Sequence, residues 1–475
     1  LDFDQVKDIC QQFATRKSCL RYDLGLLMNR HSAVSSYLSG VLLTLCGRIG
    51  VRGGNVFHGA LMPLGTHSDE RDPKAMRTVA TDFPPIMGYY PPNAMPEEIL
   101  SDHPERLRAV YVSGANPLRS YADTTAYEKA FDRLDLLVTA EMAMTETAAL
   151  SHYVLPSRSG YESWDGTFFP MTYPGIHFQM RRPIIEPDGE QLELGEIHLR
   201  LADKLGLIPP IPDRLYQAAG ESRATFGQAL MEYAMTEPKA MKAMPFVVGK
   251  TLGKAMGSVH LAALWGLLQV TPQSFQKSAA RVGFAPGASL GEEIFQKIMD
   301  HPEGIWVGQV DAVNNLAEIK TEDKKINLFI PELLDELKSI DAPQEEAALV
   351  LPSEYPLLLM AGRHMSMNAN TLMRDPSWHK GKRACTLAMH PDDAAFLNLK
   401  DGQQVRVTTQ AGREEIELEV TDTAHRGHVV FPHGFGLVYN GIKYGANVNR
   451  LTKNTHRDQF GTPLHRYVPC RVEAV

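Results

Sequence analysis

Three short apolar runs between residues 109 and 156 constrain the fold more than any other feature of this chain. The first, Ala109-Val-Tyr-Val-Ser113, leads into the turn sequence Gly-Ala-Asn-Pro. The second begins at Asp135, and the third is His152-Tyr-Val-Leu-Pro156, with helical patterns between the runs. Short buried strands that alternate with helices are typical of βαβ units, which require a parallel sheet. The sequence therefore predicts an α/β fold.

The turn after the first run has the composition of a ligand-binding turn. Ligands of open parallel sheets bind at the carboxyl ends of the strands. Gly114 permits close approach of the backbone to a ligand, Asn116 offers a side-chain amide, and Pro117 fixes the direction of the exit. These residues suit a nucleotide-like group. An Asn in a turn is also explained by hydrogen bonds to its own backbone, which is the more common role for any single one.

A different pattern follows residue 350. Asp401-Gly402 and Ala411-Gly412 supply tight turns, and Pro391 opens one short helix after His390. Five strand-like runs are spaced along this part of the chain: 357–361, 385–389, 404–409, 415–420 and 428–431. Short strands joined by tight turns predict a small closed or nearly closed barrel at the C-terminus.

These motifs, in this order, resemble those of the molybdopterin oxidoreductase family, which includes dimethyl sulfoxide reductase and formate dehydrogenase. The Gly-x-Asn-Pro turn is followed by Thr145-Glu-Thr147, by a strand that ends in Val-Leu-Pro, and by Glu162 and Gly166-Thr167. A second match opens with Leu357-Leu-Leu-Met-Ala-Gly-Arg-His364 and closes with Gly445-Ala-Asn-Val-Asn-Arg-Leu-Thr452.

The resemblance implies the fold and the domain organisation. The matches cover most of residues 1–205 and 350–475. They imply parallel-sheet dinucleotide-binding domains followed by a C-terminal six-stranded, double-psi-like β-barrel. The implied divisions are the end of an α/β domain with an active-site loop region (1–105), an α/β cofactor-binding domain (106–205), a helical insertion and linker (206–350), and a barrel domain that binds molybdopterin dinucleotide (351–475).

By resemblance, the cofactor is molybdenum or tungsten bis(molybdopterin guanine dinucleotide). This group carries pyrophosphates and amide-like ring edges, so its protein must offer Arg or Lys for phosphate, and Asn, Thr or backbone groups for the rings. The residues that the resemblance assigns to it are Gly114, Asn116, Pro117, Glu141, Thr145, Glu146, Thr147, Gly362, Arg363, His364, Asn368, Asn447 and Asn449. It assigns no catalytic residue and no metal ligand within the chain.

Ordinary structural roles compete with several of these assignments. Thr145 followed by Glu146 is also a common helix-start signal. Arg363 is equally explained as a solvated surface charge, and His364 as a hydrogen-bonded structural histidine. Both readings of each residue stay open at this point.

The resemblance also implies a missing part. The family's chains usually begin with a cysteine motif for an iron-sulfur cluster, followed by a Cys, selenocysteine or Ser that binds the metal. This chain starts at Leu1 within an amphipathic helical pattern, and its five cysteines are not spaced for a cluster. Cys10 and Cys46 lie on apolar stripes and are predicted core residues. We expect the C-terminal portion of a larger enzyme, or one half of a split one, with iron-sulfur clusters only in the missing region or a partner.

The leading functional hypothesis is part of the catalytic subunit of a molybdenum or tungsten oxidoreductase. It would carry out two-electron redox of a small substrate and pass the electrons to iron-sulfur centres, and the chain alone is not expected to be active. The alternatives are a non-redox tungsten hydratase-like member and a metal-free structural or electron-transfer subunit of the same fold. Phe168-Phe-Pro170 stands where many members place an Asn and then a Gly-Arg pair, so the resemblance does not extend to the substrate.

The composition of the chain limits the kinds of partner that it is expected to bind. The net charge of −8 argues against nucleic acid or an anionic membrane surface as the main partner. The most apolar stretch, Val259 to Val270, is shorter than the roughly 20 apolar residues that span a bilayer, so it is predicted to be a core helix. The expected partners are a small-molecule substrate and either the missing N-terminal half or an iron-sulfur electron-transfer subunit. The expected compartment is the cytoplasm, with the periplasm as the alternative.

Overall fold

Helices and irregular chain precede the first strand. The computed structural model describes residues 2–59, 61, 72, 74–168, 173–363, 370 and 373–475 of the 475-residue chain. Its N-terminal helices are α1 (Phe3–Thr15), α2 (Leu24–Leu27), α3 (Ser32–Leu45) and α4 (Met95–Leu100). The Asp2 carboxylate accepts hydrogen bonds from the amides of Asp4 and Gln5, at 2.8 and 3.1 Å. This cap starts α1 at Phe3, whereas the sequence pattern predicts a helix already under way at Leu1.

The first helix lies on the surface with its apolar stripe uncovered. None of the side chains of α1 is buried, and Phe3, Val6 and Ile9 are exposed. The prediction that Cys10 is a core residue is therefore wrong, and Cys46 is half-buried rather than buried. Spacing along a helix identifies an apolar face, but not whether a described element packs against it.

The end of the proline-rich region is helical rather than irregular. The sequence predicts a long loop over residues 60–105. A 3-10 turn spans Pro92–Ala94 and leads directly into α4, with Pro96 in the first turn of that helix. Proline is tolerated at the first turn of a helix because the amide it lacks has no partner there.

The predicted βαβ region forms a parallel sheet, as expected. Its strands are β1 (Ala109–Ser113), β2 (Leu136–Glu141) and β3 (Tyr153–Pro156), in that order across the sheet. The helices between them are α5 (Pro117–Ser120), α6 (Thr124–Asp132) and α7 (Glu146–Leu150). Val112 and Leu137 on one face of the sheet are buried against Tyr127 and Phe131 of α6.

A largely helical unit follows the sheet. Its short strands are β4 (Asp165–Gly166), β5 (Gly175–Phe178), β6 (Met180–Arg181) and β7 (Ile305–Gln309). Its helices are α8 (Leu194–Lys204), α9 (Asp213–Glu221), α10 (Arg223–Thr236), α11 (Met244–Val248), α12 (Lys254–Met256), α13 (Val259–Gln269), α14 (Gln273–Ala280) and α15 (Leu290–Asp300). The core holds Phe226, Trp265 and Phe295. Because Leu261, Trp265 and three further α13 side chains are buried, the core-helix prediction is confirmed.

The stretch before the barrel is helical and anchored. It contains α16 (Pro331–Ser339) and α17 (Ala342–Leu349), with no buried side chain in either helix. Arg30 pairs with Glu345 at 2.7 Å, and the imidazole of His31 lies 3.3 Å from Glu336 and 3.0 Å from Glu345. The charged, proline-bounded sequence of residues 338–352 predicts a linker at the end of this part of the chain. In the structure, these helices are tied to the N-terminal region.

The C-terminal unit is the predicted six-stranded barrel. Its strands are β8 (Leu357–Gly362), β9 (Thr386–Met389), β10 (Gln404–Thr408), β11 (Arg413–Val420), β12 (His428–Pro432) and, after a hairpin, β15 (Val468–Ala474). They close in the order β10-β11-β9-β12-β8-β15. The hairpin is formed by β13 (Leu437–Tyr439) and β14 (Ile442–Tyr444), and the predicted short helix is α18 (Pro391–Phe396). The fold class predicted from the sequence is thus confirmed.

No helix in the described part of the chain is long and apolar enough to cross a membrane.

Candidate cofactor-binding site

The turn after β1 adopts the geometry that its sequence predicts. Gly114 has a φ of +57°, a left-handed conformation that a residue with a side chain rarely adopts. An added Cβ there would meet no atom within 4 Å. The backbone conformation at this turn therefore requires a glycine. Pro117 occupies the first turn of α5, directly after Asn116.

Asn116 is bound within the protein. Its Nδ2 donates to the Glu146 carboxylate at 2.7 Å, and its Oδ1 accepts from the Thr147 hydroxyl at 2.8 Å. All three side chains are buried. Thr145 caps α7 by accepting from the amide of Ala148 at 3.1 Å. Both polar atoms of the predicted ligand amide are thus engaged in joining α5 to α7.

Glu146 continues this network into the barrel unit. Its carboxylate accepts from both Nη atoms of Arg374, at 2.7 and 3.1 Å, and from the amide of Val438 at 2.6 Å. Burial opposes ionisation, but Arg374, the Val438 amide and Asn116 outweigh it and lower the pKa of Glu146 to about 2. The ionised carboxylate therefore holds the β13 hairpin against the sheet.

The contacts of Glu146 form one joint between the sheet and the barrel unit. The predicted asparagines of the C-terminal motif form a second joint between them. Asn447 donates to the Thr124 hydroxyl at 2.8 Å, and Asn449 donates to the carbonyl of Arg119 at 2.8 Å. The buried Arg119 in turn donates to the carbonyl of Gly436 at 2.9 Å. These residues fix the turn at 447–451 against α5 and α6.

Glu141 lies at the end of β2 and is buried. Burial raises the pKa of its carboxyl, which accepts from the amide of Met142 at 2.8 Å. It belongs to neither joint.

A cavity of about 380 Å³, here called the interdomain cavity, lies between the two units. On the barrel side it meets the ends of the parallel strands β8 and β12 and the segment that enters β15. On the sheet side it meets Pro92, Asn93 and the chain after α5. Its polar lining residues are Asn93, Ser120, Tyr121, Arg363, Asn370, His433, His465 and Arg466. Of the predicted site residues, Gly362 and Arg363 line this cavity, whereas His364 and Asn368 lie outside the described residues.

The lining of the interdomain cavity is cationic. Two arginines and two histidines line it, and its described lining residues include no Asp or Glu, although the chain carries a net charge of −8. Buried charges in proteins are normally paired. Burial lowers the pKa of Arg466 although the charge of the nearby Asp23 carboxylate opposes this shift, and burial together with Arg363 lowers the pKa of His433. The cavity therefore favours an anionic or strongly polar ligand.

Three polar atoms around the cavity are buried without a hydrogen-bond partner among the described atoms. They are Asn93 Oδ1, His465 Nε2 and Arg466 Nε. Buried polar groups in native proteins are nearly always bonded, and leaving one unpaired costs about 1–3 kcal/mol. An acceptor, a fixed cationic donor and an imidazole nitrogen together suit a ligand with amide-like ring edges and phosphate. The residues present therefore fit a pterin dinucleotide.

The buried His465 predicts acid sensitivity. Burial lowers the pKa of His465 to about 4 from its ordinary 6.5, and His433, His456 and Arg466 add to this. As the pH falls, His465 binds a proton at a higher pH in the unfolded chain than in the folded chain. The stability present above pH 6.5 is therefore lost as the pH falls towards 4. We expect the His465→Gln variant to lose less stability over that range than the native sequence. Urea unfolding at a series of pH values measures this, and parallel losses in the two proteins would contradict it.

Several site residues were not found from the sequence. Asn93 lies in the proline-rich region that was predicted to line an active site, so its neighbourhood was indicated but not the residue. His433 directly follows β12, and His465 and Arg466 precede β15. Their positions next to the ends of predicted barrel strands could have identified His433, His465 and Arg466 as candidate site residues. No sequence pattern identified Arg374 as a site residue.

Comparison with known proteins places this chain in a class of molybdopterin-dependent proteins. A family model for molybdopterin oxidoreductase matches residues 27–204, and one for the molydopterin dinucleotide binding domain matches residues 357–469. Arg363, His433, His465 and Arg466 fall within the second match. The chain belongs to the molybdopterin oxidoreductase family, in its dimethyl sulfoxide reductase group.

Individual relatives agree with this assignment. Trimethylamine-N-oxide reductase from Haemophilus influenzae is 23% identical over 95% of this chain and 53% of its own length. F420-dependent formate dehydrogenase 1 subunit alpha from Methanococcus maripaludis is 24% identical over 80% of this chain and 45% of its own length. The solved acetylene hydratase from Pelobacter acetylenicus shares the fold, with a TM-score of 0.52 and 16% identity over 82% of this chain and 47% of that one. The chain thus spans about half the length of the relatives it matches.

Proposed function

We propose that the interdomain cavity holds part of a bis(molybdopterin guanine dinucleotide) cofactor that carries molybdenum or tungsten. The observation that carries this proposal is the set of three buried polar atoms, on Asn93, His465 and Arg466, that have no partner among the described atoms. The absence of any carboxylate from the described lining supports it, because phosphate oxygens would be repelled by one.

Each lining residue has a distinct part in this proposal. Arg363 and Arg466 bind phosphate oxygens, because a guanidinium matches their geometry with paired N–H donors. Asn93 and His465 bind the edge of a ring, which presents both donors and acceptors. At neutral pH the low pKa of His465 keeps its imidazole uncharged, so one ring nitrogen accepts while the other donates.

The joints described above act as positioning elements in this proposal. Glu146 holds the barrel unit through Arg374 and Val438, and Asn449 holds it through Arg119. The two units supply opposite walls of the interdomain cavity, so the joints set its width. The sequence predicted that Asn116, Thr147 and Asn447 bind the cofactor. In this proposal, they support the cavity walls that contact the cofactor.

We further propose that the chain acts as the C-terminal portion of a catalytic subunit. The metal of the bound cofactor supplies two-electron redox chemistry to a small substrate. Electrons leave through iron-sulfur centres that the remaining half of the protein or a partner subunit carries. The residues of this chain bind and orient the cofactor and keep water from its buried edges.

A non-redox hydratase is the second candidate. Acetylene hydratase from Syntrophotalea acetylenica is 22% identical over 72% of this chain, so hydration occurs among its relatives.

The test is the metal and nucleotide content of the assembly purified from its native source. We expect about one molybdenum or tungsten ion and about two releasable guanosine monophosphates per polypeptide. Redox turnover of that preparation separates the oxidoreductase from the hydratase. An assembly with neither metal nor nucleotide would contradict the proposal and would favour a metal-free structural subunit of the same fold.

A further inference from the structure

A cluster of charged side chains, here called the clasp, joins the N-terminal region to the stretch before the barrel. It consists of Arg30 and His31, which precede α3, of Glu336 on α16 and of Glu345 on α17. The two ring nitrogens of His31 lie 3.3 Å from Glu336 and 3.0 Å from Glu345. The imidazole therefore bridges two helices, and each of its nitrogens faces a carboxylate.

The backbone of His31 adopts an unusual conformation. Its φ of 55° and ψ of 30° lie in the left-handed region, where residues other than glycine are uncommon. Such a conformation persists where the surrounding contacts fix it, and it occurs often at functional positions. The two carboxylate contacts of the clasp are contacts of this kind.

The contacts of the clasp define the protonation state of His31. A carboxylate only accepts hydrogen bonds, whereas a neutral imidazole donates from one nitrogen and accepts at the other. A ring that donates to both Glu336 and Glu345 must therefore carry its second proton. The other oxygen of Glu336 accepts from Gln459 Nε2 at 2.7 Å. Hydrogen bonds from Arg30 and His31 lower the pKa of Glu345, so this acceptor is ionised at neutral pH.

The surroundings of the clasp are acidic. A cavity of about 570 Å³ lies beside it, and its further charged lining residues are Glu332 and Asp335 on α16 and Asp458 before β15. Among the described lining residues, Arg30 is the only cation besides His31. These carboxylates attract the charged form of the ring and offer the neutral form no equivalent attraction.

The clasp is connected to the wall of the interdomain cavity. Met28, which shortly precedes the clasp, lines that cavity, and its carbonyl accepts from the amide of Arg466 at 3.0 Å. The next residue, Tyr467, donates its hydroxyl to the carbonyl of Ala348 on α17. The guanidinium of Arg30 lies over the Tyr467 ring, 5.4 Å from its centre. Arg466 is thus held between the N-terminal segment of the clasp and α17.

We propose that His31 is a positioning residue for Arg466, and that it holds Arg466 at the interdomain cavity only while its imidazole is protonated. Loss of the ring proton turns one nitrogen into an acceptor that faces a carboxylate, and the repulsion between the two acceptors loosens the clasp. Histidine changes its charge between about pH 5 and 8. Because the clasp holds the charged ring, its effect is present at the acid end of this range and is lost as the pH rises. The inference rests on the proposed function, because Arg466 there binds a phosphate of the cofactor.

The release of guanosine nucleotide from the native assembly tests this inference at about pH 6.5 and 8.5, above the interval in which the folded chain protonates His465. We expect release to be about threefold to tenfold faster at the higher pH. The His31→Asn variant should release at the faster rate at both pH values, since asparagine tolerates the left-handed conformation but has no titrating ring. The matched control is His301→Asn, which removes a histidine that pairs with Glu303 at 2.8 Å and lines neither cavity. It should keep the native dependence on pH.

Glu336→Gln is expected to have the opposite effect. Its amide oxygen keeps the bond from Gln459, and its amide nitrogen donates to the neutral ring while the ring donates to Glu345. The clasp therefore stays closed, and release should be slow at both pH values. A change that only damaged the structure would accelerate release at both. Native release that does not vary with pH, or a Glu336→Gln variant that follows the native profile, would overturn the inference.

Hydrogen exchange of peptides that contain residues 27–31 gives a measurement that does not require the cofactor. The native assembly is compared with Glu336→Gln at the same pH, so the chemical exchange rates cancel. We expect equal protection at the lower pH and weaker protection of the native assembly at the higher pH. This pattern in an assembly without nucleotide would refute only the proposed function. Full nucleotide content with equal protection at both pH values would refute only this inference.

Discussion

Replacing Glu146 with Ala is expected to lower the free energy of unfolding by about 3–5 kcal/mol, because the variant leaves the Arg374 guanidinium buried without its anion. Both side chains are shielded, with 7% of the Glu146 and 12% of the Arg374 side chain exposed. The same change leaves the amide of Val438 without its acceptor. Urea unfolding followed by intrinsic fluorescence measures the loss.

The control for this prediction is Glu415→Ala. Glu415 pairs with Arg406 on the outside of the barrel, at 2.7 Å but half-exposed. Exposed pairs contribute no more than about 1 kcal/mol, so this variant is expected to be nearly neutral. A loss of similar size in both variants would show that Glu146 has no special role at the joint.

Acid should remove the stability that the ionised Glu146 carboxylate contributes to the folded chain. Because the pKa of its carboxyl is lowered from 4.5 to about 2 in the folded chain, the stability it contributes is complete above pH 4.5 and is lost as the pH falls towards 2. The difference between the native sequence and Glu146→Gln should therefore shrink over that interval. A difference that is constant with pH would contradict the ionised pair.

The second large effect is expected at Arg466. Charge-assisted hydrogen bonds contribute about 1.5–3 kcal/mol, so Arg466→Ala is expected to weaken cofactor retention roughly tenfold to a hundredfold. Arg466→Lys keeps the charge but loses the planar pair of donors, so it should recover only part of the affinity. The rate at which guanosine nucleotide is released from the diluted native assembly measures retention.

Arg406→Ala is the matched control for that experiment. Arg406 pairs with Glu415 away from the interdomain cavity. We expect the native rate of release from this variant. Native retention by Arg466→Ala would place the phosphate groups elsewhere in the assembly.

Local patterns predicted the two units of the fold because each depends on contacts close in sequence. The parallel sheet follows from short apolar runs and the turn at Gly114, and the barrel follows from strands separated by tight turns such as Asp401-Gly402. The exposure of Phe3 and Cys10 could not be predicted. Spacing reveals that a helix has an apolar face, whereas its cover depends on distant parts of the chain.

The candidate site was only partly predictable for the same reason. Asn93, His433 and Arg466 come from three separate segments and meet only through the tertiary fold. Asn116 was predicted to face a ligand, but its amide is bound to Glu146 and Thr147, 30 or more residues further along the chain. A sequence motif identifies polar residues at a strand end without showing which of them bond to one another.

Hydrogen exchange tests the central claim, that the interdomain cavity holds the cofactor, most directly. The native assembly is compared with the same assembly produced without cofactor, and exchange of backbone amides is followed by mass spectrometry. Our account predicts slower exchange in the loaded form for peptides that contain residues 120–122, 361–363 and 463–466, three of the described segments that line the cavity. Protection elsewhere, with no change in these three segments, would contradict it.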